Sequence, residues 1–311
     1  MNSDKINRDE VCIFIPTLNE APTIGSLIRS FKELGFSRIF IMDGRSSDKT
    51  VEIAGKEGAQ VEIQKGKGKG DAIIEAIQLI KQPYILMLDG DGTYLPEESE
   101  IMLTPLFEEG ADHVIGNRLK YPDEDALSRL NRFGNGIMNY LFKVAHGRYL
   151  QDILSGYRAF TLESIRKMNL REAGFEIETE MAVEAVRNEQ KVVVVPVQYK
   201  ARPGTETKLH PVRDGAKIFT AIYRLAKTNN PMFYFGMIGM FSILLGVLSG
   251  VYVLTEWFNN IEHIPLTILT VLLITVGFEI FMFGVIADML VTFNRELRQE
   301  IQNLRPPKPP Q

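Results

Sequence analysis

Residues 84–93 read Tyr84-Ile85-Leu86-Met87-Leu88-Asp89-Gly90-Asp91-Gly92-Thr93. The apolar run, unbroken by polar alternation, suits a strand covered on both faces. The glycines and the following Pro96 mark where that strand gives way to a turn and a helix start. In an open α/β sheet, ligands collect beyond the carboxyl ends of the strands, so Asp89 and Asp91 fall where a site mouth is expected. Two carboxylates one residue apart offer hard oxygen ligands to a divalent cation shared with a diphosphate. Polar strand ends are also ordinary turn formers, and this stretch alone does not separate the two readings.

Outward from it, the chain alternates strand-like and helix-like segments. Strands are expected at Val11–Ile15, Arg38–Met42, Gln60–Ile63, Tyr84–Leu88 and His113–Ile115, with helices at 23–34, 49–57, 71–80 and 97–107. Ile73, Ile77 and Ile80 share one helix face. Repeated βα units imply right-handed crossovers and an α/β, Rossmann-like doubly wound sheet. Beyond 116 the pattern loosens. An amphipathic helix is expected over 125–147, with Leu130, Phe133, Ile137, Leu141 and Val144 opposed to Arg129, Arg132 and Asn135. A helix at 178–188, a valine-rich strand at 191–199, a polar loop at 200–211 and a basic amphipathic helix at 212–227 follow.

Composition narrows the function classes. The 311 residues are 45% hydrophobic with a net charge of -4, which lacks the basic footprint of a nucleic-acid binder, so none is expected as a partner. The single cysteine, Cys12, lies in an apolar run, which excludes a disulfide framework and favours an inert buried thiol. His113, His146, His210 and His263 lack zinc-ligand spacing. Met1–Glu10 is polar and charged, so no signal peptide is expected there.

Near residue 231 the composition changes. Met232–Leu254 carries no charge, and 264–291 is interrupted only by Glu279 and Asp288; at about 1.5 Å rise per residue each stretch crosses a bilayer. The connector Thr255–His263 holds Trp257 and Phe258 but no Lys or Arg. Arg213, Lys217, Arg224 and Lys227 precede the spans, and Arg295, Arg298, Arg305 and Lys308 follow them. The positive-inside rule then puts both ends in the cytoplasm. The expected layout is a cytoplasmic domain at 1–211, a juxtamembrane helix at 212–230, two transmembrane helices within 231–294 (about 232–254 and 264–291) and a cytoplasmic tail at 295–311, a two-span protein of the cell membrane. A charge in mid-bilayer is costly, so Glu279 is expected to be protonated or to face another helix, and a homo-oligomer through the spans is the preferred reading.

Three further motifs end strands or open a helix. Pro16-Thr17-Leu18-Asn19-Glu20 closes the first strand, and Asp43-Gly44-Arg45-Ser46-Ser47-Asp48-Lys49-Thr50 closes the second. Both lie on the sheet edge that carries Asp89 and Asp91, and three polar strand ends at one crevice describe a nucleotide site. Glu20 and Asp43 are candidates for base or ribose, while Asp48 is equally suited to cap a helix. Gly66-Lys67-Gly68-Lys69-Gly70 fits neither the Walker nor the dinucleotide pattern, leaving a basic glycine-rich loop that either approaches a nucleotide or is simply solvated.

In this order, and with Gly116-Asn117-Arg118, these motifs resemble glycosyltransferase family 2, of GT-A fold. Asp152-Ile153-Leu154-Ser155-Gly156-Tyr157-Arg158 and the Lys208-Leu209 loop are similar to the dolichyl- and polyprenyl-phosphate sugar synthases. The resemblance covers roughly 11–212, and the two-span tail is similar to members with one C-terminal hairpin. It implies that Pro16, Leu18, Glu20, Asp43, Lys69, Asp89, Gly90, Asp91, Arg202 and Lys208 hold a nucleotide-sugar donor. It implies Mg²⁺ or Mn²⁺ on Asp89, Asp91 and Thr93, with Asp91 nearest the metal. Arg118, Arg132 and Asn135 would hold the phosphate of dolichyl or polyprenyl phosphate, and Asp91, Arg118 and Arg132 would be catalytic. The chain departs from many relatives in having Gly44 in place of a second Asp and Thr93 in place of Gln.

The implied reaction is inverting transfer of a sugar from a UDP- or GDP-sugar to the lipid phosphate at the bilayer surface. A phosphate monoester with a second pKa of about 6 is already ionised near neutrality, so no protein base is needed. Two alternatives stay open: a sugar-nucleotide nucleotidyltransferase, which has no use for a membrane hairpin, and a non-catalytic membrane-tethered scaffold.

Overall fold

The computed structural model describes residues 6–123, 129–172, 174, 176–201, 215–216, 218–220, 222–223 and 230–303. The chain divides into two compact units, Met1–Lys143 with Gly147–Ile222, and Val144–His146 with Tyr223–Gln311. Arg202, Lys208 and most of the expected basic helix 212–227 lie outside the described residues.

In the first unit β1 (Val11–Thr17), β2 (Ile39–Asp43), β3 (Gln60–Ile63) and β4 (Tyr84–Met87) alternate with α1 (Ala21–Glu33), α2 (Thr50–Lys56) and α3 (Lys69–Leu79). These match the expected segments to within a few residues, because each strand is a short apolar run bounded by turn formers. Next come α4 (Ser99–Glu108), β5 (His113–Pro122), α5 (Arg129–His146), β6 (Arg158–Thr161), α6 (Leu162–Arg166), α7 (Ile177–Arg187) and β7 (Val192–Tyr199). The seven strands form one sheet in the order β3-β2-β1-β4-β6-β5-β7. The first four run parallel, as expected from the βα repeats. β6, absent from the sequence reading, enters antiparallel between β4 and β5, and the sheet is mixed. Four residues beginning on an arginine give no strand pattern; Arg158–Thr161 is a strand because open edges on both sides receive it.

β1 shows how the sheet is held. Successive side chains point to opposite faces. Val11, Ile13 and Ile15 join a core with Ile24, Leu27, Ile28 and Phe31 of α1 and Met102 and Leu103 of α4. Cys12 and Phe14 join a second core with Ile73 and Ile77 of α3 and Met181 of α7. Cys12 is the buried thiol expected, and burial pushes it up to about 12. Covering on both faces is why the strand sequences lack alternation. β1 sits between β2 and β4. The chain therefore leaves β3 on one side and returns at β4 on the other, which opens a crevice at the carboxyl ends of β1 and β4.

The second unit holds α8 (Pro231–Phe258) and α9 (Ile264–Asn303). Pro231–Phe258 and Ile264–Asn294 are long and apolar enough to cross a membrane. The helices meet along small residues. A Cβ on Gly239 would fall 2.5 Å from the Gly277 carbonyl oxygen, and one on Gly246 would fall 2.6 Å from Ile274 Cγ1. The Ser249 and Thr270 hydroxyls are 2.8 Å apart, and Ser242 donates to the Leu273 carbonyl at 2.8 Å. Such a seam lets apolar helices pack where lipid offers no hydrophobic drive. Glu279 is exposed on α9, and Asp288 is half-buried.

Candidate functional site

The first two strand-end turns are stitched into one platform. Asp43 is fully buried; its carboxylate accepts from the Thr17 hydroxyl at 3.0 Å, the Ser46 amide at 2.7 Å and the Ser46 hydroxyl at 2.6 Å. Asn19, with φ of 53°, donates its amide to Ser46 Oγ at 2.8 Å and accepts the Ser47 amide on Oδ1 at 2.8 Å. Asp48 accepts the amides of Ala21 at 3.1 Å and Thr50 at 3.0 Å, so it caps two helix starts. The oxygens of Asp43 thus serve the turn itself. Leu18, 43% exposed, stands over Gly44, where a Cβ would fall 3.5 Å from Leu18 Cδ1; Pro16 is half-buried in β1.

Across the crevice the β4 turn is pinned to this platform. Thr23 donates to the Gly90 carbonyl at 2.6 Å, and a Cβ on Gly90 would meet Thr17 Cγ2 at 3.1 Å and Glu20 Cγ at 3.4 Å. Glycine is required at 90 because β1 approaches it so closely. Gly92, at φ of 74°, lets the chain reverse after Asp91. Asp91 Oδ1 accepts both the Thr93 hydroxyl at 2.7 Å and its amide at 3.1 Å. Thr93, 2% exposed, orients the carboxylate rather than presenting its own oxygen to solvent.

Asp89 has a different partner. Gly68, at φ of 99°, turns the chain into α3 so that Lys69 is carried to the turn. Its ammonium contacts Asp89 Oδ1 and lies 2.6 Å from Glu178 Oε1 on α7. Burial alone would lower Lys69, but the two carboxylates outweigh it and hold the ammonium above the ordinary lysine value. The rest of the glycine-rich loop turns inward. The amides of Lys65 and Gly66 go to Glu75 at 2.8 and 2.7 Å, and that of Lys67 goes to Asp71 at 2.8 Å. From this loop, Lys69 is the side chain that enters the site.

Arg118, inside β5 where its pairing with β7 is interrupted between Asn117 and Tyr121, is clamped. Its Nε and Nη2 donate to Asp152 Oδ2 and Oδ1 at 2.9 and 3.0 Å, and its own amide adds a third bond at 3.1 Å. The two side chains are 12% and 0% exposed. Burial opposes the charge, yet Asp152 keeps the guanidinium well above its ordinary value. Arg118 also lies over the Tyr199 ring, 5.4 Å from its centroid, and the Tyr199 phenol is hydrogen-bonded to Thr93. The arginine and the Asp91 turn are therefore joined through one phenol. Tyr94 closes the floor by accepting the Gly156 amide at 3.0 Å.

The acceptor-side candidates on α5 stand apart from this network. Arg132 is exposed and Asn135 half-buried, three residues further along the same helix. The structure thus brings together Glu20, Gly90, Asp89, Asp91, Thr93, Lys69 and Arg118, while Asp43 lies buried beneath the platform. Glu178, Asp152 and Tyr199 were not site candidates from sequence. No signal near Glu178 in the sequence points to the site; in the structure Ile177–Ala185 of α7 is buried throughout, and its glutamates are met by Lys69, by the amides of Arg171 and Glu172, and by Arg187.

Among the described residues no group of three His, Cys, Asp or Glu side chains forms a metal cage. The turn offers two carboxylates and no sulfur or imidazole, a donor set that fits a hard cation completed by diphosphate oxygens. Asp91, oriented by Thr93, is the fitter ligand, since Asp89 already carries an ammonium.

A family model described as Glycosyl transferase family 2 matches residues 12–169. The chain is 47% identical over 299 residues to glycosyltransferase AglJ of Haloferax volcanii, covering 95% of this chain and 98% of the relative. It is 31% identical to a dolichyl-phosphate hexose transferase of the same organism, over 70% of this chain and 94% of the relative. Among solved structures it resembles glucosyl-3-phosphoglycerate synthase of Mycobacterium tuberculosis, crystallised with Mn²⁺, UDP-glucose and phosphoglyceric acid. The TM-score is 0.55 at 18% identity, over 70% of this chain and 79% of that one, a likeness of fold.

Proposed function

Because the chain belongs to glycosyltransferase family 2 and is a glycosyltransferase, we propose that it moves a sugar from a nucleoside diphosphate to dolichyl or polyprenyl phosphate, with inversion at the anomeric carbon. The observation that carries this reading is the Asp89-Gly90-Asp91 turn at the β1/β4 crevice in a chain that ends in two membrane-length helices. A nucleotidyltransferase making a soluble product has no use for the hairpin.

The platform of Pro16, Leu18 and Glu20 receives the nucleoside, with Asp43 holding the turn beneath it. Asp91 and Asp89 would hold Mg²⁺ or Mn²⁺, which when bound neutralises the diphosphate leaving group. Lys69 places a fixed positive charge beside the same group. The acceptor brings its own nucleophile, a phosphate oxygen ionised near neutrality, so no side chain need take a proton. Arg132 and Asn135 meet that phosphate on α5, guanidinium matching phosphate in a bidentate way. Arg118, its fork committed to Asp152, adds positive potential and retains only part of its donor set. Arg202 and Lys208, outside the described residues, would add positive charge for the donor. Each contribution is positioning or charge placement.

The hairpin keeps the active site at the cytoplasmic face, where a polyprenyl chain holds its headgroup; withdrawing that chain from lipid costs about 0.8 kcal/mol per CH₂. Exposed Glu279 within the apolar span is covered by a second copy of the chain.

Purified protein given polyprenyl phosphate, Mg²⁺ or Mn²⁺ and a panel of UDP- and GDP-sugars should yield a lipid-phosphate hexose, read by mass spectrometry. Asp91→Asn should lower the rate by about a hundredfold or more without loss of fold. A soluble sugar nucleotide as sole product, or undiminished transfer by Asp91→Asn, would overturn the assignment.

A further inference from the structure

Glu178 lies beyond the 12–169 stretch covered by the family model, in the first turn of α7, and it reaches the Asp89 end of the site. Its side chain is 5% exposed, with Oε1 2.6 Å from Lys69 Nζ. The other oxygen, Oε2, is buried with no hydrogen-bond partner among the described residues. The backbone beneath it is fixed independently, since the Glu178 carbonyl accepts Arg158 Nη2 at 2.9 Å and Arg158 pairs with Met87 of β4. β4 therefore leads into the Asp89 turn, and its partner β6 anchors the helix that holds Glu178.

Charge gives this arrangement a consequence. One ammonium faces two carboxylates, so Lys69 with Asp89 and Glu178 sums to one negative charge; the nearby Arg158 guanidinium, which also feels Glu178, is spent on the backbone carbonyls of Ser155, Ile153 and Glu178. If Lys69 had Asp89 alone, the pair would be neutral and the turn would present only Asp91. A buried carboxylate with one oxygen unpartnered among the described residues costs stability that a Leu of similar size would not. An element that costly and that close to the turn suggests a use there. We infer that Glu178 is a positioning residue that shares Lys69 with Asp89 and so keeps the Asp89-Gly90-Asp91 turn net negative, which sets how tightly the turn attracts a divalent cation. The inference rests on the proposed nucleotide-sugar reaction at this site and adds to it the residue that tunes its cation affinity.

The test uses the full chain in detergent, saturating UDP and no acceptor, with Mn²⁺ binding read from the free-ion paramagnetic resonance signal. Removing one negative charge within a side chain's length of the ion should weaken Mn²⁺ on the order of tenfold in Glu178→Gln. UDP binding without metal should stay unchanged or tighten. Lys69→Met removes the shared positive charge and should move Mn²⁺ affinity the opposite way. Opposite signs in two variants cannot come from general loosening of the fold. Unchanged Mn²⁺ affinity in Glu178→Gln, equal loss of Mn²⁺ and UDP, the same sign in both variants, or no Mn²⁺ binding by the wild type would each overturn the inference. A wild type that binds Mn²⁺ and UDP, shows these shifts and yet makes no lipid-linked sugar would overturn the acceptor assignment and leave this inference standing.

Discussion

Replacing Asp152 by alanine should destabilise the protein far more than it alters any substrate contact. The carboxylate is 0% exposed and accepts three bonds, two from the Arg118 guanidinium and one from the Arg118 amide. Its removal leaves a guanidinium that is 12% exposed without a counter-charge. Breaking one partner out of a buried pair costs about 3–5 kcal/mol. In a domain of this size each kcal/mol shifts Tm by about 2–4 °C, so the melting point should fall by about 6–20 °C. Arg118→Met with Asp152→Asn removes both charges at similar volume, keeps an acceptor for the Arg118 amide, and should recover most of the loss. Thermal unfolding followed by tryptophan-independent far-UV dichroism reads both variants. An Asp152→Ala protein that melts within about 2 °C of wild type but no longer transfers sugar would refute this reasoning. Asp152 would then be acting on substrate, and the Arg118 fork would be available for the lipid phosphate.

Gly156→Ala should damage the reaction more than the fold: a Cβ there would fall 2.4 Å from Asp89 Oδ2, and the carboxylate must swing away from Lys69. Displacement on that scale costs about a hundredfold in rate, and an unchanged rate of transfer would show that the Asp89 position does not matter. Burial, with the Arg158 guanidinium beside it, holds His113 well below the ordinary imidazole value. Arg158 can only donate, so His113 Nε2, 3.3 Å away, accepts and the proton sits on Nδ1. Below about pH 6.5 the unfolded chain binds a proton that the folded chain refuses, so stability falls with pH by up to about 1.4 kcal/mol per unit from this group. His113→Gln, which keeps an acceptor for Arg158, should flatten that acid slope in Tm; identical slopes in both proteins would rule out His113 as its source.

What could be read from sequence follows what is local. Ile85, Leu86, Met87 and the glycines at 90 and 92 specify strand and turn within ten residues, and with them the place of Asp89 and Asp91. The charge-free run from Met232 and the apolar run from Ile264 announce the hairpin in the same way. The contacts that escaped depend on partners distant in sequence. Glu178 becomes part of the site only because α7 packs beside α3, and nothing near residue 178 signals Lys69. The clamp on Arg118 comes from residue 152, so Arg118 reads from sequence as a free phosphate ligand, whereas its fork is committed. Asp43 reads as a ligand because it ends a strand, yet Thr17 and Ser46 draw it beneath the surface.

The reversed strand β6 also dictates an order of events during synthesis. Its place between β4 and β5 cannot be filled until Thr161 has left the ribosome, since Tyr84 pairs with Thr161 and Met87 with Arg158. Until then β4, already joined to β1 on one side, presents the backbone of Ile85 and Leu86 as an open edge. An unpaired apolar edge is a template for wrong partners. The nascent chain is therefore most vulnerable to misassociation over the interval between emergence of residue 87 and residue 161, and slow translation there should lower the yield of folded protein.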